Sequence, residues 1–177
     1  PYTFTVTEAK EISAVFTPNS YTITYMLDGE EFATDEVEFG SAITTPEVPE
    51  REGYTFSGWA DVPETMPARD LTISGSYTVN TYNVIYVVDG EEYKRVEVAY
   101  GAEIPAEAAP EREGYTFSGW SEVPATMPAG DVTVTGSFTV NTYTITYMVD
   151  GEVYATVDVE YGQAVEPLDV PVREGYV

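Results

Sequence analysis

Apolar and polar side chains alternate with a period of two residues along several short stretches of this chain. In the first stretch, residues 21–27, the apolar face carries Tyr21, Ile23, Tyr25 and Leu27, and the other face carries Thr22, Thr24 and Met26. Residues 71–79 alternate in the same way between apolar side chains and Thr or Ser. A period of two is typical of a half-buried β-strand. The pattern therefore predicts that these stretches are the first and last strands of a small β-sheet.

A tight turn follows the first strand. Asp28-Gly29 readily adopts the positive φ angles of a two-residue hairpin turn, and the same pair recurs as Asp89-Gly90 and Asp150-Gly151. The second strand should direct Val37 and Phe39 inward. One aromatic residue near the start of each second strand is out of phase with this face, which predicts a β-bulge at Phe32, Tyr93 and Tyr154.

The segment after each hairpin contains several prolines. Pro46 and Pro49 interrupt the first copy, so it can form one turn of helix at most, and Ala102–Ala109 is the best candidate for such a turn. The third strand is predicted at Tyr54–Trp59, where Gly58 lets the indole of Trp59 swing towards the core. Val-Pro and Met-Pro pairs then predict an ordered loop over residues 62–70.

The whole pattern repeats every 61 residues. The stretch Arg51–Trp59, R-E-G-Y-T-F-S-G-W, returns unchanged at Arg112–Trp120, and its first four residues return at Arg173. We predict four segments: the end of a shortened repeat at 1–20, repeats at 21–81 and 82–142, and the start of another repeat at 143–177. The shortened repeat should form a hairpin of Tyr2–Thr7 and Glu11–Thr17.

Composition excludes several classes of function. The formal net charge of −24 opposes binding to nucleic acids and to anionic lipid surfaces. The absence of Cys and His removes thiol chemistry, imidazole bases and the commonest transition-metal ligands. No apolar run is long enough to cross a membrane, so no membrane insertion is predicted for this segment. The sequence predicts no enzyme, no catalytic residue, no cofactor and no metal site.

Two groups of side chains are nevertheless candidates for binding. Trp59 and Trp120 could stack on a sugar ring, although a small repeat needs a large aromatic in its core and core burial is the favoured interpretation. The acidic hairpin tips could gather calcium, but their spacing matches no dedicated calcium loop and Val153 replaces an acid in the third copy. These tips consist of Asp28, Glu30 and Glu31, with copies Asp89, Glu91 and Glu92. The simpler interpretation is that they are solvated turns.

Together, the motifs Y-x-[IV]-x-Y, D-G-E, E-G-Y-T-F-S-G-W and T-M-P-A-x-D-[LV]-T-[IV] resemble the Listeria/Bacteroides repeat, the type also found as the internalin B-repeat. The resemblance covers residues 21–177 and is most specific at Gly53–Trp59 and Gly114–Trp120. It implies a mostly β chain of tandem β-grasp, or ubiquitin-like, repeats with a short or absent helix, arranged as an elongated rod. The predicted order agrees: a hairpin, a crossover long enough to return a strand in parallel, and two more strands, with the fourth strand beside the first at the centre of the sheet.

Proteins with this repeat are typically large bacterial surface proteins, which implies an extracellular or cell-wall location. We expect a spacer, stalk or display module. One alternative is an adhesin module that binds a host or neighbouring-cell protein by edge-strand pairing, and another is a carbohydrate-binding module that uses Trp59 and Trp120. The partner would be an unknown protein or glycan at the cell surface. The terminal half-repeats also predict head-to-tail self-association.

Overall fold

The computed structural model describes residues 3–169 and 171–175, and these residues form strands, turns and irregular segments without a helix. Contacts divide the chain into two compact units, Pro1–Val79 and Asn80–Val177. The twelve strands within the described residues are β1 Ser20–Leu27, β2 Glu30–Glu38, β3 Tyr54–Phe56, β4 Leu71–Gly75, β5 Tyr77–Val79, β6 Thr81–Val88, β7 Glu91–Ala99, β8 Tyr115–Phe117, β9 Val132–Gly136, β10 Phe138–Val140, β11 Thr142–Val149 and β12 Glu152–Glu160.

Each complete repeat has the strand order of a β-grasp fold. In the first, β2 pairs with β1 in antiparallel orientation and β4 pairs with the other side of β1 in parallel. The second repeat has the same arrangement, β7-β6-β9. The predicted position of the fourth strand beside the first is confirmed, and the structure shows that this pair is parallel. The fourth strand is interrupted at Ser76, so that β4 joins the main sheet and β5 pairs with β3.

The β-bulge predicted from the out-of-phase aromatics is confirmed in all three copies. Tyr25 lies opposite Ala33 while Met26 lies opposite Glu31, so Phe32 has no partner in the register. The same shift occurs at the equivalent positions of the other two hairpins, which leaves Tyr93 and Tyr154 unpaired in the register. The extra residue turns the aromatic ring out of the alternation of its strand.

Each complete repeat has one small core, and the predicted inward face of the first strand is confirmed at Ile23 and Tyr25. The core of the first repeat consists of Ile23, Tyr25, Met66, Leu71 and Ile73, and that of the second consists of Val84, Tyr86, Val98, Ile104, Met127 and Val134. Val37 packs against the first core as predicted. Phe39 is 54% exposed, so its predicted inward orientation is wrong. It lies beyond the end of β2, where its N–H donates to the carbonyl of Asn19 instead of continuing the sheet.

Within the described residues the crossover segments contain no helix, so the prediction of a short or absent helix is confirmed, and the candidate turn at Ala102–Ala109 does not form. Pro105 and Pro110 cannot donate the hydrogen bonds of a helix. The irregular crossover is instead held by two side chains: the Tyr86 hydroxyl donates to the carbonyl of Pro105, and the Trp120 indole donates to that of Ala108. Two side chains of the sheet layer thus occupy carbonyls that a helix would use internally.

The outer segments are less complete. β11 and β12 form a two-stranded antiparallel hairpin, and no described strand pairs with the other side of β11. Residues 3–19 form no strand, so the hairpin predicted there is wrong for the described residues, and Tyr2 lies outside them. This segment has no Trp or Met equivalent to those that close the cores. Its apolar side chains therefore remain exposed.

Candidate functional site

Trp59 and Trp120 occupy equivalent positions against the two cores. Gly58 has a φ of +87°, which turns the chain after β3 so that Trp59 packs against the core and remains partly exposed. Its ring meets Tyr25 edge-on at 5.1 Å and Phe56 at 5.3 Å between centroids. The indole N–H donates to the carbonyl of Pro46 at 3.0 Å. The polar group and ring edges are therefore already used within the repeat.

A groove runs beside each tryptophan, between the crossover and the loop that follows the third strand. The groove at Trp59 has a volume of about 770 Å³ and includes Pro46, Val48 and Val62 among its lining residues. The groove at Trp120 has a volume of about 530 Å³. Both exist because an irregular crossover covers the sheet less completely than a helix does. Carboxylates among their lining residues, such as Glu47 and Glu103, favour a cationic ligand over an anionic one.

An ion pair distinguishes the second groove from the first. Lys94 Nζ lies 2.5 Å from Glu107 Oε2, and this hydrogen bond raises the pKa of Lys94. Burial raises the pKa of the Tyr86 hydroxyl beneath it; Glu107 adds to the increase and Lys94 opposes it. The first repeat has Ala33 at the position of Lys94. The two grooves therefore lie at equivalent places in their repeats and differ in volume and in charge.

The acidic hairpin tips have a structural use that their sequence did not reveal. Asp28 adopts a φ of +52°, its Oδ1 accepts the N–H of Tyr77 at 2.9 Å, and its Oδ2 lies 3.5 Å from Arg51. The Arg51 guanidinium lies 3.9 Å from the centroid of the Tyr54 ring. The carboxylate thus connects the hairpin to the start of β5 and to the signature.

The same arrangement recurs in the later repeats. Asp89 contacts Arg112 and accepts the N–H of Phe138, and Asp150 lies 3.1 Å from Arg173. Within residues 3–169 and 171–175, no three acidic side chains come together in a way that could hold a metal ion. The signal available in the sequence was the constant spacing of 23 residues between each Asp and its Arg.

The outer edges of the sheets are the second candidate surface. Among the described strands, β2, β7 and β12 each pair on one side only, which leaves an open backbone edge. The edge strand β2 is strongly acidic through Glu30, Glu31, Asp35, Glu36 and Glu38. In β7 the charge is mixed, and Arg95 pairs with Glu92 at 2.8 Å. Charged side chains on such an edge oppose pairing between identical sheets.

One residue separates the last strand of the second repeat from the strand that leads into the third. Asn141 lies between β10 and β11, its N–H donates to the carbonyl of Gly114, and its carbonyl accepts the N–H of Tyr161, both at 2.8 Å. Its side-chain Oδ1 also accepts the hydroxyl of Thr116 at 2.6 Å. The junction is therefore bound from both repeats.

The curated relatives of this chain include large bacterial proteins. A protein of Evansella cellulosilytica named "Putative Gly-rich membrane protein" is 27% identical over 191 residues, covering 96% of this chain and 22% of that protein. Internalin H of Listeria monocytogenes is 31% identical over 142 residues, covering 69% of this chain and 26% of that protein. The chain spans about a quarter of the length of these relatives. Among the residues that the structure describes, no helix is long and apolar enough to cross a membrane.

Two similar solved structures are tandem or single repeats. Domains 3–4 of the Streptococcal High Identity Repeats in Tandem from a cell surface protein match 68% of this chain and 98% of that chain, with a TM-score of 0.30 and 18% identity. The type 2 repeat of the mucus binding protein MUB from Lactobacillus reuteri matches 69% of this chain and 99% of that chain, with a TM-score of 0.22 and 12% identity.

The family comparison covers most of the sequence. The model of the Listeria-Bacteroides repeat domain matches residues 21–79, 82–140 and 143–177. These matches follow the 61-residue period and include both complete copies of the signature that suggested the resemblance. The chain therefore belongs to the Listeria-Bacteroides repeat domain family.

Proposed function

We propose that this chain is a non-catalytic spacer or display segment of a bacterial surface protein, located outside the cell or in the cell wall. The observation that carries the proposal is the junction at Asn141, where a single residue bound from both sides connects two repeats. A Gly/Ser linker at this point would let the repeats move independently. A junction without a flexible linker instead suits an array of repeats that holds another domain at a fixed distance.

The proposed units follow the sequence period. Residues 1–20 end a shortened repeat, 21–81 and 82–142 are complete repeats, and 143–177 begin another. Each complete repeat contains its own core, its own Trp and its own Asp-Arg pair. Such repetition favours a mechanical role, because a catalytic site is not normally repeated in every unit.

Small-angle X-ray scattering of the whole chain tests the spacer proposal. A compact protein of this length has a radius of gyration of about 16 Å, and repeats arranged end to end as a rod should give a distinctly larger value. A matched variant with a flexible Gly/Ser insertion after Asn141 should broaden the distribution of interatomic distances. A value near that of a compact protein, or no effect of the insertion, would contradict the proposal.

A second candidate function is that of an adhesin module, and the open edge of β2 favours it. This strand has nine residues and pairs only with β1 among the described strands. An extended segment of another protein could add to it through backbone hydrogen bonds. The acids of β2 would select a segment rich in Lys and Arg and would repel acidic ones.

Titration with extended peptides tests this candidate. A peptide that alternates Lys with Val should slow amide hydrogen exchange along β2, and a Glu-Val peptide of equal length should not. Replacing Glu36 with Lys should weaken the effect, whereas Glu122→Lys, which lies outside the edge strands, should not. Equal protection by both peptides would reject edge-strand pairing with charge selection. The tryptophans favour sugar binding less, because their N–H groups are already bound within the repeats.

Self-association through the open side of β11 is a further proposed partner interaction. β11 presents an open side that in the complete repeats is covered by a parallel strand, β4 or β9. We propose that residues 3–19 of a neighbouring chain supply this strand. Sedimentation should then depend on protein concentration, and deletion of residues 1–18 should remove the dependence. A monomer at all concentrations would contradict this interaction.

A further inference from the structure

The signature glycine of the second repeat lies directly against an aromatic ring of the third. A Cβ built on Gly114 would lie 2.0 to 2.4 Å from three ring carbons of Tyr161, so only glycine leaves room for the ring. The φ of Gly114 is +75°. Gly119 belongs to the same signature and has a φ of +88°, yet a Cβ there would meet nothing within 4 Å. The contact is therefore specific to one of the two signature glycines.

Further contacts surround this point. The rings of Tyr115 and Tyr161 meet edge-on, with 6.3 Å between their centroids. The N–H of Tyr161 is bound by Asn141, which is itself bound to Gly114. The contact thus joins the start of β8 in one repeat to the end of β12 in the next.

Apart from this contact, the hairpin β11–β12 is held mainly by exposed polar contacts, such as the Asp150–Arg173 ion pair and the hydrogen bond from the Tyr147 hydroxyl to the Glu166 carbonyl. None of its residues is fully buried, and Met148 is 55% exposed. A two-stranded hairpin without a covering layer is marginally stable in water. In the complete repeats, by contrast, the equivalent hairpins lie on closed cores. The neighbouring repeat is therefore a source of stability that the hairpin lacks by itself.

We propose that Gly114-Tyr115 is the docking site for the aromatic residue that closes the second strand of the following repeat, and that this contact keeps the β11–β12 hairpin folded. The partner is another copy of the repeat, recognised by an aromatic ring followed by glycine, as in Tyr161-Gly162. The signature glycine then serves the neighbouring repeat. Folding of one repeat lowers the cost of folding the next, as in nearest-neighbour descriptions of repeat proteins.

Amide hydrogen exchange of the full chain, measured by NMR, tests the proposal with Gly114→Ala and the matched control Gly119→Ala. Both substitutions impose a side chain on a positive φ, so their shared strain cancels in the comparison. Gly114→Ala should raise the exchange rates of Tyr161 and Ile145 at least tenfold above those in Gly119→Ala. The amide of Val134 should report whether the second repeat stays folded.

Tyr161→Ala provides the second arm, because it removes the ring without touching the second repeat. It should raise exchange in the hairpin as Gly114→Ala does and leave Val134 protected. In the double variant, Gly114→Ala should add no further loss in the hairpin, since the ring it displaces is already absent. If Tyr161→Ala leaves the hairpin protected, or if the two glycine variants match, the proposal is overturned. If Gly114→Ala unfolds the second repeat, as faster exchange at Val134 would show, the exchange rates of the hairpin in Tyr161→Ala alone test the proposal.

Discussion

Replacement of Met66 by Ala should remove a large part of the free energy of unfolding of the first repeat. Met66 is 1% exposed and belongs to the core formed with Ile23, Tyr25, Leu71 and Ile73. Truncating a buried Met to Ala typically costs about 2–5 kcal/mol, and we expect about 3 kcal/mol here. A domain of this size has a total stability of about 3–9 kcal/mol at 0.05–0.15 kcal/mol per residue.

The two tryptophans make each repeat observable separately. In a Trp120→Phe background, Trp59 is the sole indole and reports the unfolding of the first repeat. With a urea m-value of about 1 kcal/mol/M, a loss of about 3 kcal/mol lowers the unfolding midpoint by about 3 M. In a Trp59→Phe background, Met127→Ala should have the corresponding effect on the second repeat, because Met127 is equally buried.

Met148→Ala is the control within the same chain. Its side chain is 55% exposed on β11, so its truncation should change stability by less than about 0.5 kcal/mol. A shift of the Trp59 transition by Met148→Ala as large as that by Met66→Ala would refute the reasoning. So would an unchanged midpoint for Met66→Ala, because the loop methionine would then contribute nothing to the core.

Three further predictions concern the other contacts of the first repeat. Trp59→Ala should lower the free energy of unfolding by about 3–5 kcal/mol, since the contacts with Tyr25 and Pro46 are lost. Urea unfolding followed by circular dichroism measures this loss, and a loss below about 1 kcal/mol would contradict the role of Trp59 in the core. Asp28→Asn should lower the free energy of unfolding by less than about 1 kcal/mol and Asp28→Ala by about 1–2 kcal/mol, because Asn keeps an acceptor for the N–H of Tyr77 and tolerates a positive φ. Equal losses in urea unfolding would show that the ion pair with Arg51, which both variants remove, contributes more than the hydrogen bond. Burial and, to a smaller extent, Asp35 raise the pKa of Tyr25, so the unfolded chain loses the hydroxyl proton at a lower pH than the folded chain does, and the free energy of unfolding should fall as the pH rises above about 10. Tyr25→Phe should make the free energy of unfolding, measured with urea between pH 8 and 11, depend less steeply on pH; an unchanged dependence would contradict the assignment.

The strand framework could be predicted from the sequence because alternation reports which face of a strand is buried. Ile23 and Tyr25 are buried as expected, and the break in alternation at Phe32 correctly indicated a bulge. The repetition of these features every 61 residues indicated that each copy contains the same succession of strands. The interruption at Ser76 was not predictable, since alternation continues unbroken across it.

The contacts that close the fold were harder to predict because they depend on distant partners. Met66 lies in a loop without periodicity, and its burial follows from the position of the loop over the sheet. Asp28 looked like a solvated turn residue until its contacts with Tyr77 and Arg51 were known. The docking of Tyr161 on Gly114 joins residues 47 positions apart in different repeats. Local patterns carry no information about such pairs beyond their recurrence.

The way in which the crossover is held explains how the repeats can differ while the fold is kept. The tyrosine hydroxyl of each first strand donates to a crossover carbonyl, and the three acceptors belong to Thr44, Pro105 and Glu166. A backbone carbonyl is available whatever side chain the residue carries. The tethers therefore constrain the path of the crossover and leave its sequence free to change. Differences in charge between the two grooves, such as that caused by Lys94, can accordingly accumulate without loss of the sheet beneath them. If the repeats of such an array differ in what they bind, the crossover groove is where the fold permits that difference.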